Sequence, residues 1–291
     1  MSNAQATKQK LMSTFGLLFA ATVWGIIWYP YRLLEQAGIS GAAASAITYA
    51  FALLIGCMVY ARGWRDARKL PLAMLPLALS AGWANLAYVM AVIDGSVMRV
   101  LLLFYLAPFW TLLLSHFLLD ERPGKRGIAV IALSLAGAFV MLWQPENPPI
   151  PQNTAEWLAL SAGLSFALTN VLTRRAAHLS IASKSFSVWI GVVVSALLYL
   201  PFAHTHFSPL ALITGQQWLL MLGLGGLLTL TTLSVQYGLS NTPAARASVI
   251  FLFELVVGAV SSWCLASEAM AVHEWIGGMM IIAAALFAPS E

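Results

Sequence analysis

Between Ser185 and Ala245 the chain reads SFSVWIGVVVSALLYLPFAHTHFSPLALITGQQWLLMLGLGGLLTLTTLSVQYGLSNTPAA. These sixty-one residues include no Asp, Glu, Lys or Arg. A soluble domain does not expose such a stretch, because it gives water nothing charged to hold. A bilayer-crossing helix needs about 20 mostly apolar residues, so the stretch holds two spans and the turn between them. The whole chain agrees, at 60% hydrophobic and 9% charged, with a mean hydropathy of +0.82. The fold class that follows is an all-α, polytopic membrane protein.

Apolar runs set between their breakers predict ten transmembrane helices. They lie near Leu11–Leu34, Gly41–Ala61, Pro71–Ile93, Val97–Leu119, Lys125–Trp143, Glu156–Thr173, Ser183–Phe202, Gln216–Gly238, Pro243–Ala266 and Val272–Ala288. A count of nine fits nearly as well. The first run follows Lys8 and Lys10 but is far longer than the roughly 7–15 apolar residues of a signal peptide, so it reads as a retained span. With the N-terminus in the cytoplasm, Lys8, Lys10, Arg62, Arg65, Arg68, Lys69, Arg122, Lys125, Arg126, Arg174, Arg175, Lys184 and Arg246 all fall inside. Only Arg32 and Arg99 fall outside. The positive-inside rule then puts both termini in the cytoplasm, and the expected location is the inner (plasma) membrane. The net charge of +4 reports this topology and gives no case for nucleic-acid binding.

A shift of 147 residues makes the two halves coincide. Arg99 falls on Arg246, each opening a long apolar helix, and Glu121 falls on Glu268, each just past the end of that helix. Upstream, Trp24-Gly25 with Trp28 corresponds roughly to Phe166-Ala167 with Asn170. Repeat one runs over 11–143 and repeat two over 154–288, within a single transmembrane domain. Five spans per repeat is an odd number, so the second copy enters the membrane from the opposite face. Such inverted repeats recur in secondary transporters, with the substrate near the midplane between the halves, although channels can be built the same way.

These residues resemble the drug/metabolite transporter superfamily, specifically its EamA-type members. The shared features are Trp24-Gly25 in span 1, and Leu106-Ala107-Pro108-Phe109 leading to Asp120-Glu121 in span 4. In span 9 the family's Leu-Glu-Pro is replaced by Phe253-Glu254-Leu255, so the kink that the pattern implies there is in doubt. The aromatic richness is most similar to that of the YddG-type exporters. That resemblance implies export of aromatic amino acids.

Glu254 stands halfway along span 9 and is the only acidic residue near a span centre. A charged carboxylate there costs about 2.5–3.5 kcal/mol on insertion scales. It binds a substrate amine, exchanges a proton, or makes a structural hydrogen bond; the residues leave all three open. Pro108 lies at the equivalent depth in span 4, where it removes a backbone donor. Asn85 and Tyr88 share a face of span 3. Thr229, Thr232 and Gln236 form a polar stripe in span 8 with Tyr237 beside it. Asn170 and Tyr105 complete the polar set, and each reads equally as an interhelical hydrogen bond. Trp64, Trp143, Trp157, Trp218, Trp263 and Trp275 read as interfacial anchors. Trp24, Trp28, Trp83 and Trp110 lie deeper, and Trp24 and Trp28 share a face that suits a ring-shaped or cationic substrate.

Cys57 and Cys264 fall inside spans and read as small apolar residues. His178, His204, His206 and His273 fall in loops, and His116 stands alone late in span 4, so no metal site is assembled. No nucleotide-binding loop or nucleophile-base-carboxylate set occurs in the sequence, so no cofactor and no enzymatic activity are expected. The expected partners are a small-molecule substrate (an aromatic amino acid or amphipathic drug), membrane lipid and protons. The expected activity is secondary transport by alternating access. Drug efflux, sugar-phosphate exchange and a passive pore are its rivals.

Overall fold

The computed structural model describes residues 3–60, 74–95, 97–122, 124–143, 151–202, 213–266 and 271–287. Trp64, His204, His206, Glu268 and the basic group Arg62, Arg65, Arg68 and Lys69 lie outside them. The described residues form helices α1 (Asn3–Gln36), α2 (Gly41–Val59), α3 (Leu75–Asp94), α4 (Val97–Phe104), α5 (Ala107–Leu119), α6 (Lys125–Leu142), α7 (Thr154–Arg175), α8 (Ile181–Tyr199), α9 (Gly215–Asn241), α10 (Ala244–Phe251), α11 (Phe253–Ala266) and α12 (Val272–Phe287). Nine membrane-length spans are found among the described residues. The tenth, α12, is a shorter apolar helix of 16 residues. Span 4 consists of α4 and α5, and span 9 of α10 and α11.

Helix starts coincide with residues that can satisfy free backbone N–H groups, which a bilayer leaves without water. Ser40, Asn153, Ser180 and Thr214 each accept a bond from the backbone N–H three residues on, as N-caps do. Thr214 and Gln217 form a reciprocal capping box. At its far end α5 stops on Asp120, whose left-handed backbone (φ 53°) reverses the chain. Asp tolerates that conformation better than most residues.

The two halves pack as swapped copies, in inverted five-helix repeats. α1 lies on α9 and α11 just as α7 lies on α3 and α5; α2 meets α8, and α6 meets α12. Lipid-like solvent gives no hydrophobic drive between helices, so close backbone approach has to supply the packing. Gly137 of α6 and Gly277 of α12 supply it for one pair, since a Cβ on either would fall within 3 Å of the other's carbonyl oxygen.

Several expectations change here. Cys264 is exposed on the outer surface of the bundle, because its face of α11 turns away from α1. Lys184 is fully buried and is therefore no solvated topology marker: α8 begins inside the helix cluster, and the ammonium bonds to the Ser240 hydroxyl. Trp83 is exposed and donates to Ser161 Oγ at 3.2 Å.

Candidate functional site

Both central spans are broken, at equivalent positions. In span 4 the helix is interrupted at Tyr105-Leu106. Pro108 has no N–H to offer the Phe104 carbonyl, so the helical ladder fails there. α7 packs against that carbonyl so tightly that a Cβ on Gly163 would sit 2.4 Å from the Phe104 oxygen. Span 9 breaks at Leu252, which is 147 residues after Tyr105. The doubt about a kink without proline is thereby corrected. Tight-turn bonds from Leu252 N to Val249 O (3.2 Å) and from Leu255 N to Leu252 O (3.0 Å) carry the chain through. Gly25 of α1 abuts this break, with the Glu254 carbonyl oxygen 2.8 Å from where a Cβ would be. Tyr105 and Leu252 share one buried cluster.

The breaks place aromatic rings face to edge at the middle of the bundle. Phe104 and Phe251 are the last helical residues before them, and both rest on Phe166 of α7, at centroid distances of 5.5 and 5.6 Å. Trp24 of α1 closes the layer, 5.3 Å from Phe251 and 5.8 Å from Phe166. Tyr88 and Tyr105 flank Phe104 at 5.0 and 5.3 Å. Edge-to-face and tilted pairs of this kind are favoured by the ring quadrupoles.

Glu254 lies just past the span-9 break, in the first turn of α11, where the helix dipole favours negative charge. Its carboxylate lies near the Tyr105 hydroxyl and within electrostatic reach of Tyr88. The side chain is half-buried. Further along α11, Ser261 accepts a 2.8 Å bond from Trp28 Nε1 and donates to the Gly25 carbonyl at 2.8 Å. Arg32 lies over the Trp28 ring at 5.9 Å. Behind Tyr105 an apolar recess of about 300 Å³, bounded by Leu102, Leu106, Leu135 and Phe139, separates span 4 from α6.

The helix tips at one end of the bundle are joined by a polar latch. The Asp120 turn presents Glu121, which accepts from Arg174 Nε at 3.0 Å and from the Ala244 N–H at 3.0 Å. The carboxylate thus caps the N-terminus of α10. Arg174 also donates to the Ser240 carbonyl at 2.7 Å. Lys184 bonds to the Ser240 hydroxyl, and Gln9 Nε2 donates to Asn241 Oδ1. The tips of α1, α5, α7, α8, α9 and α10 are joined there.

The sequence matches the profile of the EamA-like transporter family twice, over residues 11–143 and 153–288. The chain belongs to that family. It is a multi-pass membrane transporter of the drug/metabolite transporter superfamily. This EamA-like transporter is 23% identical to the uncharacterized transporter YojE of Bacillus subtilis over 249 residues, which are 81% of this chain and 80% of the relative. An uncharacterized transporter of Archaeoglobus fulgidus is 27% identical, over 78% of this chain and 80% of its own. The uncharacterized transporter PA0485 of Pseudomonas aeruginosa is 26% identical, over 64% and 61%. A protein solved by crystallography superposes with a TM-score of 0.77, covering 97% of both chains at 19% identity. That likeness carries the fold alone.

Within this EamA-like transporter the ten candidate residues separate into groups. Tyr88, Tyr105, Glu254 and Trp24 converge on the breaks, and Pro108 is buried in the first turn of α5. Trp28 joins them through α11, and Asn85 is half-buried one turn from Tyr88. Asn170 and Gln236 lie on the latch side of the aromatic layer, both 2% exposed. Asn170 Nδ2 and Gln236 Oε1 have no hydrogen-bond partner among the described residues, and each such buried group costs about 1–3 kcal/mol. Tyr237 makes none of the ring contacts found among the described residues. Reading for polar residues missed Phe104 and Phe251 altogether. The 147-residue shift that pairs Arg99 with Arg246 pairs these two as well, and that was the available signal. Trp189, fully buried against Gly56, was missed too; it packs away from the breaks with Phe186.

Proposed function

We propose that this transporter carries small amphipathic metabolites, aromatic amino acids foremost, out across the inner membrane by alternating access. The observation that carries the reading is the Glu254 carboxylate near Tyr105 and Tyr88, with the rings of Trp24, Phe104 and Phe251 gathered at two equivalent helix breaks. A carboxylate takes an ammonium group. The surrounding rings take an aromatic side chain by offset and edge contacts, which add about 0.5–1.5 kcal/mol each beyond area burial. The positive-inside reading puts the latch on the cytoplasmic face, so the structure corresponds to a carrier closed toward the cytoplasm. Rocking of the halves breaks the latch and reverses access.

The test is reconstitution in liposomes with labelled phenylalanine, competed by other amino acids, cationic drugs and sugar phosphates. Saturable uptake, blocked by tryptophan and tyrosine and trans-stimulated by unlabelled phenylalanine, is the expected result. Competition by cationic drugs alone, or a flux that does not saturate, overturns it.

A further inference from the structure

Arg174 and Ser240 level two helices against each other. α7 and α9 both reach the latch with their C-terminal ends, and the 2.7 Å bond from Arg174 to the Ser240 carbonyl sets their register. One turn back from each, about 6 Å deeper, stand Asn170 and Gln236. Phe166, Asn170 and Arg174 fall at intervals of four residues on α7, hence on one stripe. The order along that stripe is aromatic layer, amide, latch. Val235, beside Gln236, packs in the same buried cluster as Trp24, Phe166 and Phe251, which places the Gln236 level directly under the rings. Glu254 lies on the other side of those rings, because span 9 runs from the latch through Phe251 to Glu254.

Both amides are 98% removed from solvent, the complement of their 2% exposure, and each holds a polar atom without a partner among the described residues. Either amide offers an N–H donor and a carbonyl acceptor, whichever way its O and N are assigned. A donor and an acceptor at one level match the carboxylate and ammonium of a zwitterion; a cationic amine alone uses only the acceptor.

We infer that Asn170 and Gln236 form a second substrate station, separated from Glu254 by the aromatic layer, which holds the zwitterionic head group of an α-amino acid when the latch end is open. This rests on the proposed amino-acid substrate. The substrate ring exchanges places with the layer while its ammonium passes from the Gln236 carbonyl to Glu254.

The experiment measures KM for labelled phenylalanine presented at each face in oriented liposomes, without a pH gradient, for the wild type, Asn170→Leu and Gln236→Leu. Melting curves are recorded for each protein. Each substitution should raise KM at the latch face about tenfold and leave KM at the opposite face within about twofold. A passive carrier keeps Vmax/KM equal at the two faces, so Vmax from the latch face should rise in step. A structural lesion lowers Vmax instead. Phenethylamine, which lacks the carboxylate, should lose its dependence on Asn170. Gln236→Met keeps the side-chain length and serves where the leucine variant melts early. Equal changes at both faces, no change at either, or loss of folding in the leucine and methionine variants alike overturns the station and leaves the proposed function standing. A wild-type protein that carries no phenylalanine removes both.

Discussion

Phe104 and Phe251, repeat equivalents 147 residues apart, both pack against one ring, that of Phe166, at 5.5 and 5.6 Å. Phe166 thereby bridges the two helix breaks, and on the proposed mechanism its ring closes the layer between Glu254 and the latch. Phe166→Ala removes a half-buried ring, at a cost somewhat below the about 3–5 kcal/mol of a full core truncation. The variant should melt lower in detergent and leak phenylalanine from liposomes without saturation. Phe166→Leu should restore both properties in large part. A tight, saturable Phe166→Ala protein would show that the layer is no seal.

The approach of Tyr105 to Glu254 predicts a coupled pair. Glu254→Gln keeps shape and hydrogen bonding, so it should fold normally and raise the KM for phenylalanine about tenfold. Tyr105→Phe should weaken binding less, and the double variant should fall short of the sum, with a coupling of about 1–3 kcal/mol. If Glu254 carries a coupled proton instead, Glu254→Gln loses gradient-driven accumulation but retains exchange. Normal kinetics in a well-folded Glu254→Gln protein removes the residue from the mechanism.

Opening of the latch can be read by thiol labelling. Arg174→Ala takes one of two donors from Glu121 and the guanidinium from the Ser240 carbonyl. Charge-assisted bonds of this kind contribute about 1.5–3 kcal/mol, enough to shift a two-state population at least about tenfold. In a background free of Cys57 and Cys264, Thr173→Cys is buried at the closed end. Its reaction with an impermeant reagent from the cytoplasmic face should accelerate about tenfold when Arg174→Ala is added. An unchanged rate would mean that the ion pair does not control access.

Gly163 is the cleanest packing probe. Gly163→Ala drives a methyl into the Phe104 carbonyl and should cost about 1–3 kcal/mol, read as a lower melting temperature with impaired transport. Gly226→Ala is the control, because its Cβ would meet nothing nearer than 3.9 Å; helix propensity makes that change neutral or mildly stabilising. Equal effects at the two sites would disprove the close approach.

Topology is tested by single cysteines at two exposed positions, Gly124 and Gln216. In the protein without Cys57 and Cys264, an impermeant reagent should reach Gly124→Cys from the cytoplasm and Gln216→Cys from outside. Labelling of both from one side would overturn the orientation, and the assignment of the latch to the cytoplasmic face with it.

Span number, helical class and the internal repeat were legible in the sequence because they depend on composition and spacing. The bilayer core admits a backbone only as a satisfied helix or a closed barrel, and sixty-one residues without charge or the alternating polarity of barrel strands read as helices. Glu254 stood out for a similar reason, since an isolated carboxylate is conspicuous in an apolar run. Pro108 predicted the span-4 break, because a missing N–H is a covalent property of one residue. Other features existed only in the tertiary structure. No covalent feature of Leu252 announces a break; it appears where α1, through Gly25, packs onto span 9. Phe104, Phe166 and Phe251 look like ordinary apolar residues until three separate spans bring their rings together. Lys184 read as a solvated charge because exposure is decided by neighbouring helices, and Glu121 met Arg174 only once their helix tips converged. Apolar spans are interchangeable in sequence. Which faces touch is settled by close packing and hydrogen-bond geometry between segments far apart in the chain.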